Sequence, residues 1–216
     1  MTEKESILAP IPGYRKSAAL PGFEHINRYW DKTREVWGAK ILPGQYYVTI
    51  QEELIVTVLG SCVAACVRDS RLGVGGMNHF MLPTSSHEGR LKFGSVAERY
   101  GNFAMEHMIN DILKNGGRRE FLEVKVFGGG KILAQMTDIG QRNIDFIRQY
   151  LRTEAMKVLS EDLGDVFPRK VVYVPASGKA YVKRLRSLNN DTVVERERSY
   201  MSQLATEPVQ GDVELF

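Results

Sequence analysis

Apolar residues recur every three or four positions in two parts of the chain, which is the spacing of one face of an α-helix. The first part begins with the capping-box pattern Ser95-Val-Ala-Glu98 and ends at Asn115-Gly116-Gly117, so it predicts a helix over 95–114. Its apolar stripe comprises Val96, Tyr100, Phe103, Ala104, Met108 and Ile112. The second part predicts a helix over about 141–155, with a stripe of Ile144, Ile147, Tyr150 or Leu151, and Ala155.

Shorter runs that are rich in β-branched and aromatic residues predict strands. These runs cover residues 46–50, 54–59, 63–67, 75–82, 122–127, 169–174 and 179–185. Strands therefore occur early and late in the chain with the two helices between them, which differs from a regular βαβ alternation. We predict a mixed α/β (α+β) fold: a single domain with a sandwich-like β-sheet core and two main helices packed on it.

The two ends of the chain differ in composition from its middle. Residues 1–40 are predicted to be an N-terminal extension because three prolines interrupt them, although the aromatic residues of 23–38 indicate packing on the domain body or on a partner. Residues 41–187 are the predicted domain. The polar stretch 188–216 is predicted to be a charged, largely disordered tail, and the mixed charges of 184–198 a solvated surface.

Composition and charge exclude several classes of function. Of the 216 residues, 43% are hydrophobic and 25% are charged, as in ordinary soluble globular proteins. A net charge of +3 with scattered basic residues does not favour nucleic-acid binding. The longest apolar run, 54–67, is shorter than the ~18 residues of a membrane helix, and the N-terminus lacks an apolar signal segment. We therefore expect a cytoplasmic protein without membrane insertion, with both cysteines as reduced thiols.

Cys62 and His79 are the residues with the clearest catalytic potential. If 62–67 and 74–79 pair as an antiparallel hairpin with Val67 opposite Val74, then Cys62 lies opposite His79, and their Cβ atoms are ~5 Å apart. The sequence alone leaves this register open. An imidazole beside a thiol can accept its proton and then hold the thiolate, which is the nucleophilic form.

The neighbours of Cys62 supply the other groups that thiol catalysis needs. Thr57 carries the only hydrogen-bonding side chain in 54–60, so it is the candidate for orienting the imidazole. Gly60 and Ser61 allow the backbone to approach a substrate carbonyl and to turn N–H groups toward an oxyanion. Alternatively, Ser61 caps a helix that begins at Cys62, whose N-terminus would lower the pKa of the thiol.

Other interpretations of these residues are chemically plainer. A cysteine in an apolar run is usually a small buried hydrophobe, which suits Cys66 well, and His79 could be a hydrogen-bonded core residue. Cys62, Cys66, His79 and His87 lack the paired spacing of a structural zinc site, so we predict no metal. The run 128–131, Gly-Gly-Gly-Lys, lacks the spaced glycine and the Ser/Thr of a phosphate loop, and it is interpreted as a tight turn or binding loop.

Several blocks taken together resemble one known family. They are Leu59-Gly-Ser-Cys62-Val, Gly75-Gly-Met-Asn-His79-Phe-Met-Leu-Pro83, Tyr100-Gly, Ala104-Met105, Lys125-Val-Phe-Gly-Gly129, Ile139-Gly-x-Arg-Asn143, Asp162-Leu-Gly and Pro168-Arg-Lys. In this order, over about residues 40–186, they resemble the chemoreceptor glutamine deamidases of the CheD family. The resemblance implies a Cys-His-Thr deamidase, with Cys62 as nucleophile, His79 as general base and acid, and Thr57 as the third member.

The resemblance also implies a substrate and a reaction course. Glutamines on methyl-accepting chemotaxis receptors are converted to glutamate through a cysteine thioester, with backbone N–H groups near Gly60 and Ser61 binding the oxyanion and no cofactor. The cytoplasmic domains of chemoreceptors are the expected partners, and a chemotaxis phosphatase is a possible second one. Because the substrate is a rigid helix, we expect Cys62 to be partly accessible and Cys66 to be buried. The alternatives are a non-catalytic module that docks a phosphatase or receptor, for which the 128–130 loop would be suited, and thiol-dependent transglutamination.

Overall fold

The computed structural model describes residues 17–83, 96–132, 139–186 and 191–206. Over these residues the chain is a single mixed α/β domain with two five-stranded sheets. The strands are β1 (Asn27–Asp31), β2 (Val36–Lys40), β3 (Tyr46–Thr49), β4 (Leu54–Leu59), β5 (Val63–Asp69), β6 (Gly75–Asn78), β7 (Leu122–Gly128), β8 (Lys157–Leu163), β9 (Arg169–Val174) and β10 (Lys179–Arg184). The helices are α1 (Val96–Lys114), α2 (Ile139–Thr153) and α3 (Asp191–Thr206).

The two sheets share one hydrophobic core, and the first two helices cover one of them. Sheet A has the order β1-β2-β4-β9-β10, and sheet B the order β3-β6-β5-β7-β8. Ile55 and Tyr173 of sheet A belong to the same buried cluster as Val48, Cys66 and Val124 of sheet B. Helices α1 and α2 contact strands of sheet B and each other. Every residue of β5 except one is buried, as expected of a central strand that is covered on both faces. The predicted fold class is confirmed.

Strand β4 shows how the alternation of side chains places a polar group in the core. Ile55 and Leu59 belong to the large cluster between the sheets, whereas Leu54 and Val56 belong to a smaller cluster on the outer face with Val172. Thr57 has the same parity as Ile55 and Leu59, so its side chain points toward sheet B and is buried. A hydroxyl is thereby placed between the two sheets.

The predicted helices and most predicted strands are present with small shifts at their ends. Helix α1 begins at Val96, while Ser95 of the predicted capping box lies outside the described residues. Phe103, which was assigned to its apolar stripe, is instead 44% exposed. Helix α2 buries Ile144, Ile147, Tyr150 and Leu151 as predicted but ends before Ala155, which adopts a positive φ of 49°.

The N-terminal part packs on the domain body, one of the two alternatives for residues 23–38. Strand β1 pairs with β2, and β2 runs parallel to β4, so both strands extend sheet A. The Phe23 ring lies edge-on to Tyr46 and Tyr47 of β3, with centroid distances of 5.3 Å. Aromatic pairs with this geometry stabilise a packed interface. Within the part of the chain that the structure describes, no helix is long and apolar enough to cross a bilayer.

Candidate active site

The turn between β4 and β5, Gly60-Ser61-Cys62, is named here the 60–62 loop, and all its backbone N–H groups point to one carboxylate. Gly60 and Cys62 donate to Oε1 of Glu197 at 2.8 and 3.2 Å, and Ser61 donates to Oε2 at 2.9 Å. The Ser61 hydroxyl adds a fourth hydrogen bond to Oε2 at 2.7 Å. Successive N–H groups that converge in this way form an anion-binding nest. A helix beginning at Cys62, the alternative route to activation, is not what forms, since β5 begins at Val63.

The carbonyl groups of the 60–62 loop are held equally firmly on the opposite side. They accept hydrogen bonds from the Gly130 N–H at 2.7 Å, the Asn143 side-chain amide at 2.9 Å and the Gly129 N–H at 2.8 Å. Gly128 has a φ of 114°, and a Cβ at this position would lie 2.2 Å from the Cys62 carbonyl oxygen. Because every carbonyl has a fixed partner, the N–H groups are preorganised to bind an anion without rearrangement.

The glycine run 128–130 therefore has a structural role in this site. All its residues are buried, and two of them donate to the 60–62 loop. The interpretation of the run as a tight turn after a strand agrees with this geometry. Its suggested suitability as an exposed docking loop does not, because the backbone is already occupied and covered.

His79 reaches the core between the sheets because it follows the end of β6. The preceding residue, Asn78, points to the other face, where its amide donates to the Ala104 carbonyl of α1 at 3.2 Å. Successive side chains of an extended strand point to opposite faces, so His79 points toward Thr57 of sheet A. Its Nδ1 lies 2.7 Å from Thr57 Oγ1.

The hydrogen bonds of Thr57 fix the tautomer of His79. The Thr57 hydroxyl donates its single hydrogen to the Ile41 carbonyl at 3.0 Å. It must therefore accept the hydrogen of the bond to His79, so that Nδ1 of the ring is protonated. Nε2 of the neutral ring then carries the lone pair, and this atom has no hydrogen-bond partner among the described residues. The structure thus leaves the basic nitrogen of a buried imidazole available to accept a proton.

The predicted hairpin register is wrong by two residues. Val67 pairs with Gly76 rather than with Val74, and the same offset continues to the end of the strand pair. Cys62 is therefore diagonal to His79 instead of directly opposite. A shift of two residues keeps side chains on the same face, whereas a shift of one would have moved one of them to the other face. The expectation that both residues lie on the same side of the strand pair is unaffected.

The expected accessibility of Cys62 is also wrong. Cys62 is 0% exposed, as is Cys66, for which burial was predicted. Burial is the main cause that raises the pKa of the Cys62 thiol well above its ordinary value, and the charge of Glu197 and its hydrogen bond to the thiol raise it further. Burial and, to a smaller extent, the nearby Arg196 charge lower the pKa of His79 to about 3. In this state the thiol and the imidazole are both neutral.

Helix α3 contacts the 60–62 loop through Glu197, and its existence corrects the interpretation of the C-terminal segment. Residues 191–206 were predicted to belong to a largely disordered, solvated tail, yet they form a helix. The residues that face the domain are Val193, Glu197, Tyr200, Met201 and Leu204. Their spacing of three and four residues is that of one helical face. The sequence did not predict this helix, because charged residues surround the apolar positions and a buried glutamate lies at the centre of the apolar face.

Glu197 and Asn143 are the two site residues that the sequence did not reveal. Asn143 is fully buried and bridges two segments, since its amide donates to the Ser61 carbonyl and its Oδ1 accepts from the Leu82 N–H at 2.9 Å. It belongs to one of the blocks on which the resemblance rests, but no role was assigned to it. The sequence feature that could have revealed Glu197 is its position among apolar residues that recur at helical spacing.

Metal-ligand clusters are a separate question from the thiol and the imidazole. The described residues contain no group of three His, Cys, Asp or Glu side chains that could hold a metal ion. His87, considered above as a possible ligand, lies outside the described residues. What the arrangement offers is a thiol, an imidazole with a defined tautomer, and a nest of N–H donors that binds a glutamate side chain.

Comparisons with known proteins extend over most of the chain. The family model described as CheD chemotactic sensory transduction matches residues 81–184. A protein of Halorhodospira halophila named "Probable chemoreceptor glutamine deamidase CheD" is 57% identical over 200 residues, which cover 91% of this chain and 93% of its own length. Proteins with the same name from Hahella chejuensis and a Janthinobacterium species are 53% identical over 198 residues (92% and 94% covered) and 54% identical over 197 residues (89% and 97% covered).

Proposed function

Since the chain belongs to the CheD family, we propose that it is a protein-glutamine deamidase that acts on chemoreceptors through Cys62. The observation that carries this proposal is the nest of the 60–62 loop. It binds the carboxylate of Glu197, and glutamate is the side chain that deamidation of glutamine produces. The names of the curated relatives supply the receptor as substrate. A cytoplasmic location, where receptor signalling domains lie, belongs to the same proposal.

The first half of the reaction forms a thioester. His79 Nε2 accepts the Cys62 proton as the sulfur attacks the carboxamide carbon of a receptor glutamine. The developing oxyanion is bound by N–H groups of Gly60 and Cys62, which already converge on one oxygen. Such preorganised donors typically contribute about 10²–10³ in rate each. His79 then returns the proton to the leaving nitrogen, ammonia departs, and a γ-glutamyl thioester remains.

The second half hydrolyses the thioester. A water molecule that gives its proton to His79 Nε2 adds to the thioester carbon, and the Cys62 sulfur leaves with that proton. The products are the receptor glutamate and the free thiol. Thr57 acts as a positioning residue throughout, because its bond to Nδ1 leaves Nε2 as the basic nitrogen of the ring.

The proposal is tested by mass spectrometry of a chemoreceptor cytoplasmic fragment after incubation with the protein. We expect wild type and Cys66→Ala to convert discrete glutamines, with the mass change of NH₂ replaced by OH, and Cys62→Ala to convert none. The two cysteines are equally buried, which makes Cys66→Ala a matched control. Unmodified glutamines with every enzyme variant, including the α3 variants described below, would favour the binding module. Amine incorporation without hydrolysis would favour transglutamination.

A further inference from the structure

Helix α3 places a carboxylate where an unpaired charge would be costly. Glu197 is 2% exposed, yet four hydrogen bonds from the 60–62 loop satisfy it. Burying a carboxylate is tolerated only with such compensation. The donors belong to the proposed catalytic apparatus rather than to α3 or to a separate ion-pair partner. The helix and the reacting groups therefore compete for the same hydrogen bonds.

Other contacts of α3 also lie close to the candidate site. A Cβ on Gly44 would lie 2.6 Å from the Tyr200 hydroxyl, and the N–H of this glycine donates to the His79 carbonyl at 2.8 Å. Tyr200 also hydrogen-bonds to the Tyr100 hydroxyl of α1. Val193 is buried one turn before Glu197. The helix thus touches the segments that carry both Cys62 and His79, and the Cys62 side chain is fully buried.

We propose that α3 is an intramolecular mimic of the reaction product, which closes the site until a receptor helix displaces it. The inference rests on the proposed function and adds its regulation. Glu197 is a glutamate side chain projecting from a helix, and a deamidated receptor position has the same chemistry. Its carboxylate accepts hydrogen bonds from the Gly60 and Cys62 N–H groups, which would bind the oxyanion.

The contacts of α3 also define the helix that can replace it. Apolar side chains occupy the positions four before and three, four and seven after Glu197, with an aromatic residue at the first of the three later positions. A substrate helix is expected to present glutamine at the centre of the same pattern. Its carboxamide oxygen takes the place of Oε1. The amide nitrogen takes the place of Oε2, so the Ser61 N–H loses its acceptor, while the Ser61 hydroxyl can turn to accept a hydrogen bond from the amide.

The first experiment measures alkylation of the native full chain by iodoacetamide, with each cysteine followed separately by mass spectrometry. We expect Cys62 to react about tenfold or more faster in Glu197→Ala than in wild type, because loss of the docked state raises the competent fraction. Glu195→Ala is the matched control, since Glu195 is exposed on the same helix. Labelling of Cys66 reports unfolding. Equal Cys62 rates in wild type, E195A and E197A would overturn closure by α3.

A second variant tests whether α3 closes the site even if removal of the Glu197 carboxylate does not by itself release the helix. Val193→Asp places a charge in the docked face of α3 and leaves the sequence of the 60–62 loop unchanged. Ser199→Asp is the matched control, since it places the same charge on the exposed face of the helix. We expect V193D to increase Cys62 alkylation and S199D to leave it at the wild-type rate, with Cys66 protected in both. Protection of Cys62 in V193D would contradict the proposal.

The third experiment asks whether the helix is a mimic of the product or only a cover. In Glu197→Gln the introduced carboxamide lies beside Cys62, so the chain should deamidate itself. The sulfur bonds to the carboxamide carbon, ammonia leaves with the proton from His79, and water restores thiol and glutamate. We expect the mass change at position 197 in E197Q and its absence in the double variant E197Q/C62A.

The outcomes separate this inference from the proposed function. An E197Q chain that deamidates a receptor fragment but retains its own introduced carboxamide would overturn product mimicry. If no variant modifies the receptor or itself while E197A still unmasks Cys62, the deamidase proposal fails and closure by α3 stands. Self-deamidation together with faster receptor deamidation by E197A is the result that supports both.

Discussion

Replacing Thr57 by valine tests the link between the packing of the two sheets and the chemistry of the site. Valine has nearly the same shape, so the change removes a hydroxyl and leaves the core filled. Two hydrogen bonds are lost, from His79 Nδ1 and to the Ile41 carbonyl, and both partners remain buried. An unsatisfied buried partner costs about 1–3 kcal/mol, so for two partners we expect the free energy of unfolding to fall by about 2–6 kcal/mol.

The effect on turnover should exceed what lost stability explains. Without Thr57 Oγ1, the His79 ring is free to carry its hydrogen on Nε2, where it cannot accept the thiol proton. General-base catalysis is typically worth about 10²–10⁴ in rate, so kcat for ammonia release from a receptor fragment should fall by about that factor, with KM little changed. Thr57→Ser retains the hydroxyl and should recover most of the activity.

The tautomer itself provides a readout that a purely structural role would not move. The ¹⁵N chemical shifts of the His79 ring should show a protonated Nδ1 in wild type and in T57S, and a mixture of tautomers in T57V. A T57V enzyme that is folded at the assay temperature, with kcat close to wild type and Nδ1 still protonated, would refute the reasoning.

Three other predictions concern the groups that hold the site. Gly128→Ala should lower stability and kcat more than Gly164→Ala, since both residues have positive φ but only the first would bring a Cβ to 2.2 Å from the Cys62 carbonyl oxygen; equal losses in thermal unfolding and turnover would show that backbone strain alone matters. Asn143→Ala should cost about 2–3 kcal/mol in urea unfolding and reduce kcat, and unchanged values would argue against its bridging role. Because the pKa of His79 is lowered from 6.5 to about 3, its neutral form favours folding; stability is complete above pH 6.5 and falls by up to about 1.4 kcal/mol per pH unit as the pH drops toward 3. In His79→Gln the free energy of unfolding should fall less steeply as the pH drops. The same slope in the variant and in wild type would contradict the assignment of this pH dependence to His79.

The parts of the fold that the sequence predicted are those with a clear local pattern. Strand β9 and helix α2 have runs whose apolar periodicity matches their buried faces. Strand β8 was missed because Lys157–Leu163 is an exposed edge strand with charged and polar residues among its apolar ones. Strands β1 and β2 were hidden by the prolines before them, which favoured an irregular extension.

The contact between Thr57 and His79 followed from the sequence, whereas Glu197, Asn143 and the strand register did not. Thr57 followed from being the only hydrogen-bonding side chain near Cys62, and the structure places it on His79. The register was wrong because turn chemistry between β5 and β6 allows more than one pairing. The contact between the 60–62 loop and Glu197 was not predictable, since it comes from a helix whose contacting face is interrupted by that glutamate.

Covalent attachment gives α3 an advantage that no separate helix shares. It begins at Asp191, shortly after β10 ends at Arg184, so its local concentration at the site is on the order of millimolar. A dilute soluble helix of similar intrinsic affinity would rarely gain entry. Receptor helices present at a comparable local concentration would compete with α3 for the site. Enzyme activity would therefore depend on how densely the receptors are packed. If α3 closes the site as proposed, the tether would set a threshold that restricts turnover to places where receptors are gathered.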